Sequence, residues 1–183
     1  MKATTLVVAT ACALSAPVFA QAPSQTNPPA NPPRTTGAAS TNAPIPTSDF
    51  INKIVMGDMF DAQSARLAER KGDSGEKTFA QREVPDHTKF TNEIKAMASS
   101  GKVHASVPTS LDNEHQQKLD QLQKLSGKPF DEAYNKDEVQ NHESTITVLQ
   151  QYAQNGDNSD LKQWASKVLP EMKQHLTNAE KLK

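Results

Sequence analysis

The chain is short of cysteine, aromatics and strand-like alternation, and each shortage narrows what it can be. Its one cysteine is Cys12, so no internal disulfide and no cysteine metal cluster can form. Aromatic residues are 5% of the chain, with a single tryptophan, Trp164. The core must therefore come mainly from Leu, Ile, Val, Met and Ala. No run of Val, Ile, Thr or aromatics alternates with period two, which argues against strands. No apolar run beyond residue 20 is long enough to cross a bilayer. Basic and acidic residues nearly balance, 20 against 21, and no basic patch stands out, which argues against nucleic acid as a partner. A glycine-rich phosphate loop and a serine-nucleophile elbow are also missing.

What is present begins with an export signal. Lys2 precedes a short apolar run from Leu6 to Ala16, and Val18-Phe19-Ala20 offers small residues at both specificity positions of a cleavage site. The expectation is a signal peptide over 1–20, with Gln21 as the mature N-terminus. An uncleaved anchor and lipidation at Cys12 are the alternatives, although Ala9-Thr10-Ala11-Cys12 matches a lipid box only loosely. Cleavage would remove the cysteine and one basic residue, Lys2, and leave a net charge of −2 from 19 basic and 21 acidic residues. Residues 21–47 hold seven prolines among Gln, Asn, Thr, Ser and Ala. Such a segment buries too little apolar area to offset its ordering entropy, so a disordered, Pro-rich tether is expected.

From residue 48 the pattern turns helical. Apolar residues recur at three and four positions, which predicts helices over about 48–71, 76–99, 110–125, 129–153 and 159–182. Ser48 and Asp49 suit the start of the first. Turns at 72–75 and 155–158 make antiparallel neighbours of the first and second helices and of the fourth and fifth. Pro85 predicts a kink or break in the second helix. The two hairpins look alike, as though duplicated, with the short third helix between them.

Three of these apolar faces carry a histidine where an aliphatic residue would be the default. His87 follows Phe79 and Glu83. His142 stands between Val139 and Ile146. His175 stands between Met172 and Ala179. Each has a glutamate four residues earlier: Glu83, Glu138 and Glu171. At about 1.5 Å of rise per residue the three histidines lie at comparable depth, within roughly a turn and a half. Asp58 and Asp61 on the first helix fall in the same range. His87, His142, His175, Asp58 and Asp61 are therefore the candidate metal ligands, for Zn²⁺, Fe²⁺, Mn²⁺ or Cu²⁺. The competing reading makes each histidine a core polar group bonded across the bundle. His115 is expected at a helix interface and His104 in solvent.

The ordered set Phe79-Ala80, Asp86-His87, Leu125-Ser126-Gly127, Phe130-Asp131, Tyr134, His142, Leu169-Pro170 and His175-Leu176 resembles domain-of-unknown-function family 4142. This family comprises exported bacterial proteins often labelled putative outer membrane proteins. The resemblance covers about 49–183 and implies an all-α, ferritin-like antiparallel bundle: four long helices plus a shorter connecting helix. It implies no settled activity. Family members often carry glutamates in the middle of the first helix, where this chain has Asp61 and Gln63, and Pro85 is another departure.

The leading functional expectation is a non-catalytic binding or structural module in the periplasm or at the outer membrane, with an envelope component as its partner. The alternative is a metal-binding or redox protein with a histidine/carboxylate site inside the bundle and a divalent transition metal as its cofactor. The pattern leans away from catalysis.

Overall fold

The structure, a computed structural model, describes residues 44–182. The predicted signal peptide and all but the last few residues of the predicted tether lie outside them. Five helices follow in order: α1 Thr47–Lys71, α2 Ser74–Ser99, α3 Asn113–Lys124, α4 Lys128–Asn155 and α5 Ser159–Ala179. No strand occurs among the described residues.

The helix ends follow from side-chain chemistry. Asp73 caps α2 by accepting from the backbone N–H groups of Gly75 and Glu76, Asp112 caps α3 through His115 N–H, and Asn158 caps α5 through Leu161 N–H. Each satisfies an orphan donor of a first turn. The Asp112 cap starts α3 at Asn113, three residues after the expected start, and leaves Leu111 outside the helix. Ser48 and Asp49 do not cap α1. The helix begins at Thr47 with no side-chain cap. The Thr47 hydroxyl is instead 2.5 Å from Tyr152 Oη and donates to Asp157 Oδ1, also at 2.5 Å. This ties the start of α1 to the end of α4.

Pro85 does not break α2, which runs on through it. The ring faces solvent. The proline deprives the Gln81 carbonyl of its helical donor, but Gln81 is exposed, so water can serve in its place.

Two apolar clusters make the core. One joins Phe50, Ile51, Ile54, Val55, Phe90, Ile94, Leu149, Tyr152, Leu161 and Val168 with their neighbours. The other joins Phe60, Leu67, Phe79, Leu119, Leu122, Phe130 and Tyr134. Their order along each helix gives the topology. α1 and α5 run from the first cluster to the second, while α2 and α4 run from the second to the first. The bundle is therefore up-down-down-up. Residues 100–127, with α3, carry the chain back along its length, the single long crossover of ferritin-like bundles.

The α4 face differs in detail from the expected one. Val139 and Ala153 are half-buried, while Tyr134, Glu138, His142, Leu149 and Tyr152 point inward. Apolar periodicity alone could not show that Glu138 is an inward residue. Gly57 lets α1 come close to α4, because a Cβ there would stand 3.2 Å from Asn141 Nδ2 and 3.3 Å from Thr145 Oγ1.

Candidate metal centre

A layer of polar side chains separates the two apolar clusters. α1 contributes Asp58, Asp61 and Ser64; α2 contributes Glu83 and His87; α4 contributes Glu138 and His142; α5 contributes His175. All are buried, and none is more than 6% exposed. Four carboxylates in a dry interior are costly unless something positive compensates them.

Glu83 Oε2 is the hub. It lies 2.9 Å from His87 Nε2, 3.2 Å from His142 Nε2 and 3.3 Å from His175 Nδ1. One donor atom from each of Glu83, His87, His142 and His175 falls within 4.8 Å of every other. Zinc–nitrogen and zinc–oxygen bonds of about 2.0–2.1 Å put tetrahedral ligands roughly 3.3 Å apart, close to these separations.

The far nitrogens of the rings are each held by another group. His87 Nδ1 meets Asp58 Oδ1 at 2.8 Å. His142 Nδ1 donates to the Glu138 carbonyl at 2.7 Å. His175 Nε2 meets Asp86 Oδ2 at 3.1 Å. A carbonyl only accepts, so His142 carries a proton on Nδ1 and turns Nε2 inward. Carboxylate or carbonyl partners on the outer nitrogen are the usual support of ligating histidines. Among the described residues, His142 Nε2 and His175 Nδ1 have no hydrogen-bond partner. They are near Glu83 Oε2 but not aligned with it.

A second group adjoins the first. Asp61, Glu138 and His142 also offer atoms within 4.8 Å of one another. Asp61 Oδ2 lies 3.6 Å from His87 Nε2, and Asn141 Nδ2 holds both Asp61 oxygens, at 2.8 and 2.7 Å. Ser64 donates to Glu138 Oε1 at 2.8 Å.

The electrostatics follow from this crowding. Burial alone would raise the Glu83 carboxyl, but His142, His175 and His87 facing it hold it well below the usual carboxylate range. Burial works against a charged His87, yet Asp61, Asp58 and Glu83 push it well above its ordinary value. His142 is also raised, because Glu83 and Asp61 outweigh its burial. Burial, with repulsion from Asp61 and Glu83, pushes the Glu138 carboxyl well above the usual carboxylate range. Without a metal, raised His87 and His142 favour protons that offset carboxylate charge.

The structure thus brings His87, His142 and His175 together. Asp58 stands behind His87 and braces it, and Asp61 flanks the group. Glu83 holds the fourth converging position. Its spacing of four from His87 put both on one helix face, which was the available signal. Asp86, which supports His175, lies off the apolar seam, and no periodicity marks it. Glu171 makes no bond to His175; it is half-buried and pairs with Lys89 at 3.5 Å. His115 is half-buried against Phe60, with ring centroids 5.8 Å apart, and His104 is exposed.

Fold and site together define a one-crossover four-helix bundle with a buried histidine/carboxylate layer across its middle. The chain belongs to the family described as a domain of unknown function (DUF4142), which matches residues 31–182. No curated protein and no solved structure matches it. Among the described residues, no helix is long and apolar enough to cross a membrane.

Proposed function

We propose that this is an exported metal-binding protein that holds one divalent transition-metal ion between His87, His142, His175 and Glu83. The observation that carries this reading is the orientation of the rings. Three imidazoles from three helices turn their outer nitrogens to separate partners and their inner nitrogens to one point. A purely structural histidine needs the first of these features and not the second. Three imidazoles with one carboxylate suit Zn²⁺, Cu²⁺ or Fe²⁺ better than Mg²⁺ or Ca²⁺. The export half of the proposal rests on the signal-like residues 1–20. Intact-mass measurement of the native protein checks it, with cleavage after Ala20 as the expected result.

Thermal unfolding with and without Zn²⁺, Cu²⁺ and anaerobic Fe²⁺ tests the metal half. An ion at a hundred times its Kd stabilises the folded state by about 2.7 kcal/mol. The wild type should gain on this scale with at least one ion, and His87→Gln, His142→Gln and His175→Gln should each lose most of the gain. The competing reading is a proton-compensated structural core, supported by the Asp58–His87–Glu83 chain of contacts. It predicts no metal-dependent shift in any of the four proteins.

A further inference from the structure

We propose that a small oxyanion, of the carboxylate class, reaches the metal centre through a cleft between α2 and α5 and is anchored there by Arg82. This rests on the metal-binding reading above and adds what the ion would present to a ligand. The cleft has a volume of about 410 Å³ and is lined by Arg82, Glu83 and Asp86 from α2 and by Glu171, His175 and Asn178 from α5. Two of the four converging residues, Glu83 and His175, thus form part of its wall. His175 is also the least buried of the three histidines, at 6% against 0% for His87 and His142.

A second cleft, between α1 and α2, touches the same layer from the other side. It is lined by Asp58 and His87, but His87 offers Asp58 its Nδ1. That cleft therefore meets the back of a ligand, behind a carboxylate. The α2–α5 cleft meets the hub residue itself.

On the α2–α5 walls the carboxylates are already engaged, and one cation is left for an anion. Asp86 is engaged with His175 and Glu171 with Lys89. Arg82 has no ion-pair or hydrogen-bond partner among the described residues, so its fork is available to a carboxylate. Gln81 also lines the cleft, and Pro85 leaves its carbonyl without the helical N–H. That carbonyl is a spare acceptor for a hydroxyl or N–H elsewhere on the same ligand. Tetrahedral zinc sites can expand to five ligands, and Cu²⁺ favours tetragonal geometry. Four protein ligands therefore still leave a position for an oxygen arriving from the cleft.

The test uses the whole protein loaded with Co²⁺, whose visible bands report its ligands. Acetate and azide are titrated into the wild type, Arg82→Gln and Gln174→Trp, the last placing an indole in the cleft wall, which Gln174 on α5 also lines. In the wild type both anions should shift the bands saturably. Arg82→Gln should keep its Co²⁺ bands and bind acetate about tenfold more weakly, the scale of one charge-assisted hydrogen bond, with azide little changed. Gln174→Trp should keep the bands and lose the response to both anions. Wild-type bands that ignore both anions would overturn the proposal, as would an unchanged response in Gln174→Trp or unchanged acetate affinity in Arg82→Gln. If the wild type shows no Co²⁺ bands before any anion is added, the metal-binding reading itself has failed and this inference falls with it.

Discussion

Asp58 shows how much a residue one step removed from the cluster can matter. Its Oδ1 fixes the His87 ring from behind, 2.8 Å from Nδ1. Asn at this position keeps an acceptor there but removes the charge that makes the imidazole a stronger donor to metal. Asp58→Asn is therefore expected to fold and to bind Zn²⁺ about 10–100-fold more weakly, the usual effect of losing such a partner. Competition titration against a chromophoric chelator measures this. Wild-type affinity in the variant would reduce Asp58 to packing. At this scale the sequence was partly legible. The histidines announced themselves by interrupting apolar seams, because a seam position predicts burial whatever residue fills it. Glu83 and Asp86 were harder. Spacing says which face a side chain is on, whereas its rotamer and its neighbours on other helices decide whether it is a hub, a brace or a surface ion pair. Glu83 and Glu171 share the same four-residue spacing to a histidine, yet one is buried at the centre and the other pairs with Lys89.

Elements were read more easily than residues, because helical period and turn chemistry are local. Their ends moved where a cap or a backbone angle decided the matter. Gly127 precedes α4 with φ 57° and ψ −149°, a region that essentially only glycine occupies. A Cβ there would meet nothing within 4 Å, so the cost of Gly127→Ala is backbone strain alone. Destabilisation of about 1–3 kcal/mol is expected, measurable by urea unfolding; a neutral result would show that the turn relaxes freely. Pro85 runs the other way. It is exposed inside an unbroken helix, and proline is about 3 kcal/mol worse than alanine in a helix interior. Pro85→Ala restores a donor to the Gln81 carbonyl and should raise stability by about 1–3 kcal/mol. A loss of stability would mean that α2 is shaped around the proline and that straightening it disturbs the packing beneath.

For the whole molecule, the decisive feature is a core cut in two by a charged layer, which sets how stability responds to pH. His87 has a folded-state pKa raised well above its ordinary 6.5, and His142 is raised as well. A raised histidine contributes stability that is complete below about 6.5 and is lost as pH climbs through the folded value. Glu138, raised well above its ordinary 4.5, acts in the same direction, since the folded state holds its proton longer than the unfolded one. Glu83 is depressed, so its contribution is present above about 4.5 and fades below. The metal-free protein should therefore be most stable near pH 4.5, lose the Glu138 contribution as pH rises from there, and weaken further as pH climbs past about 6.5. Metal reverses the trend, because the ligating nitrogens must shed their protons and binding tightens as those protons become easier to lose. The gain in Tm from a saturating ion should grow steadily between pH 5.5 and 8, while the Tm of the chelator-treated protein falls. Parallel melts across that range, in buffers that do not bind metal, measure both curves. A gain that is flat with pH would place the ion on groups other than these histidines.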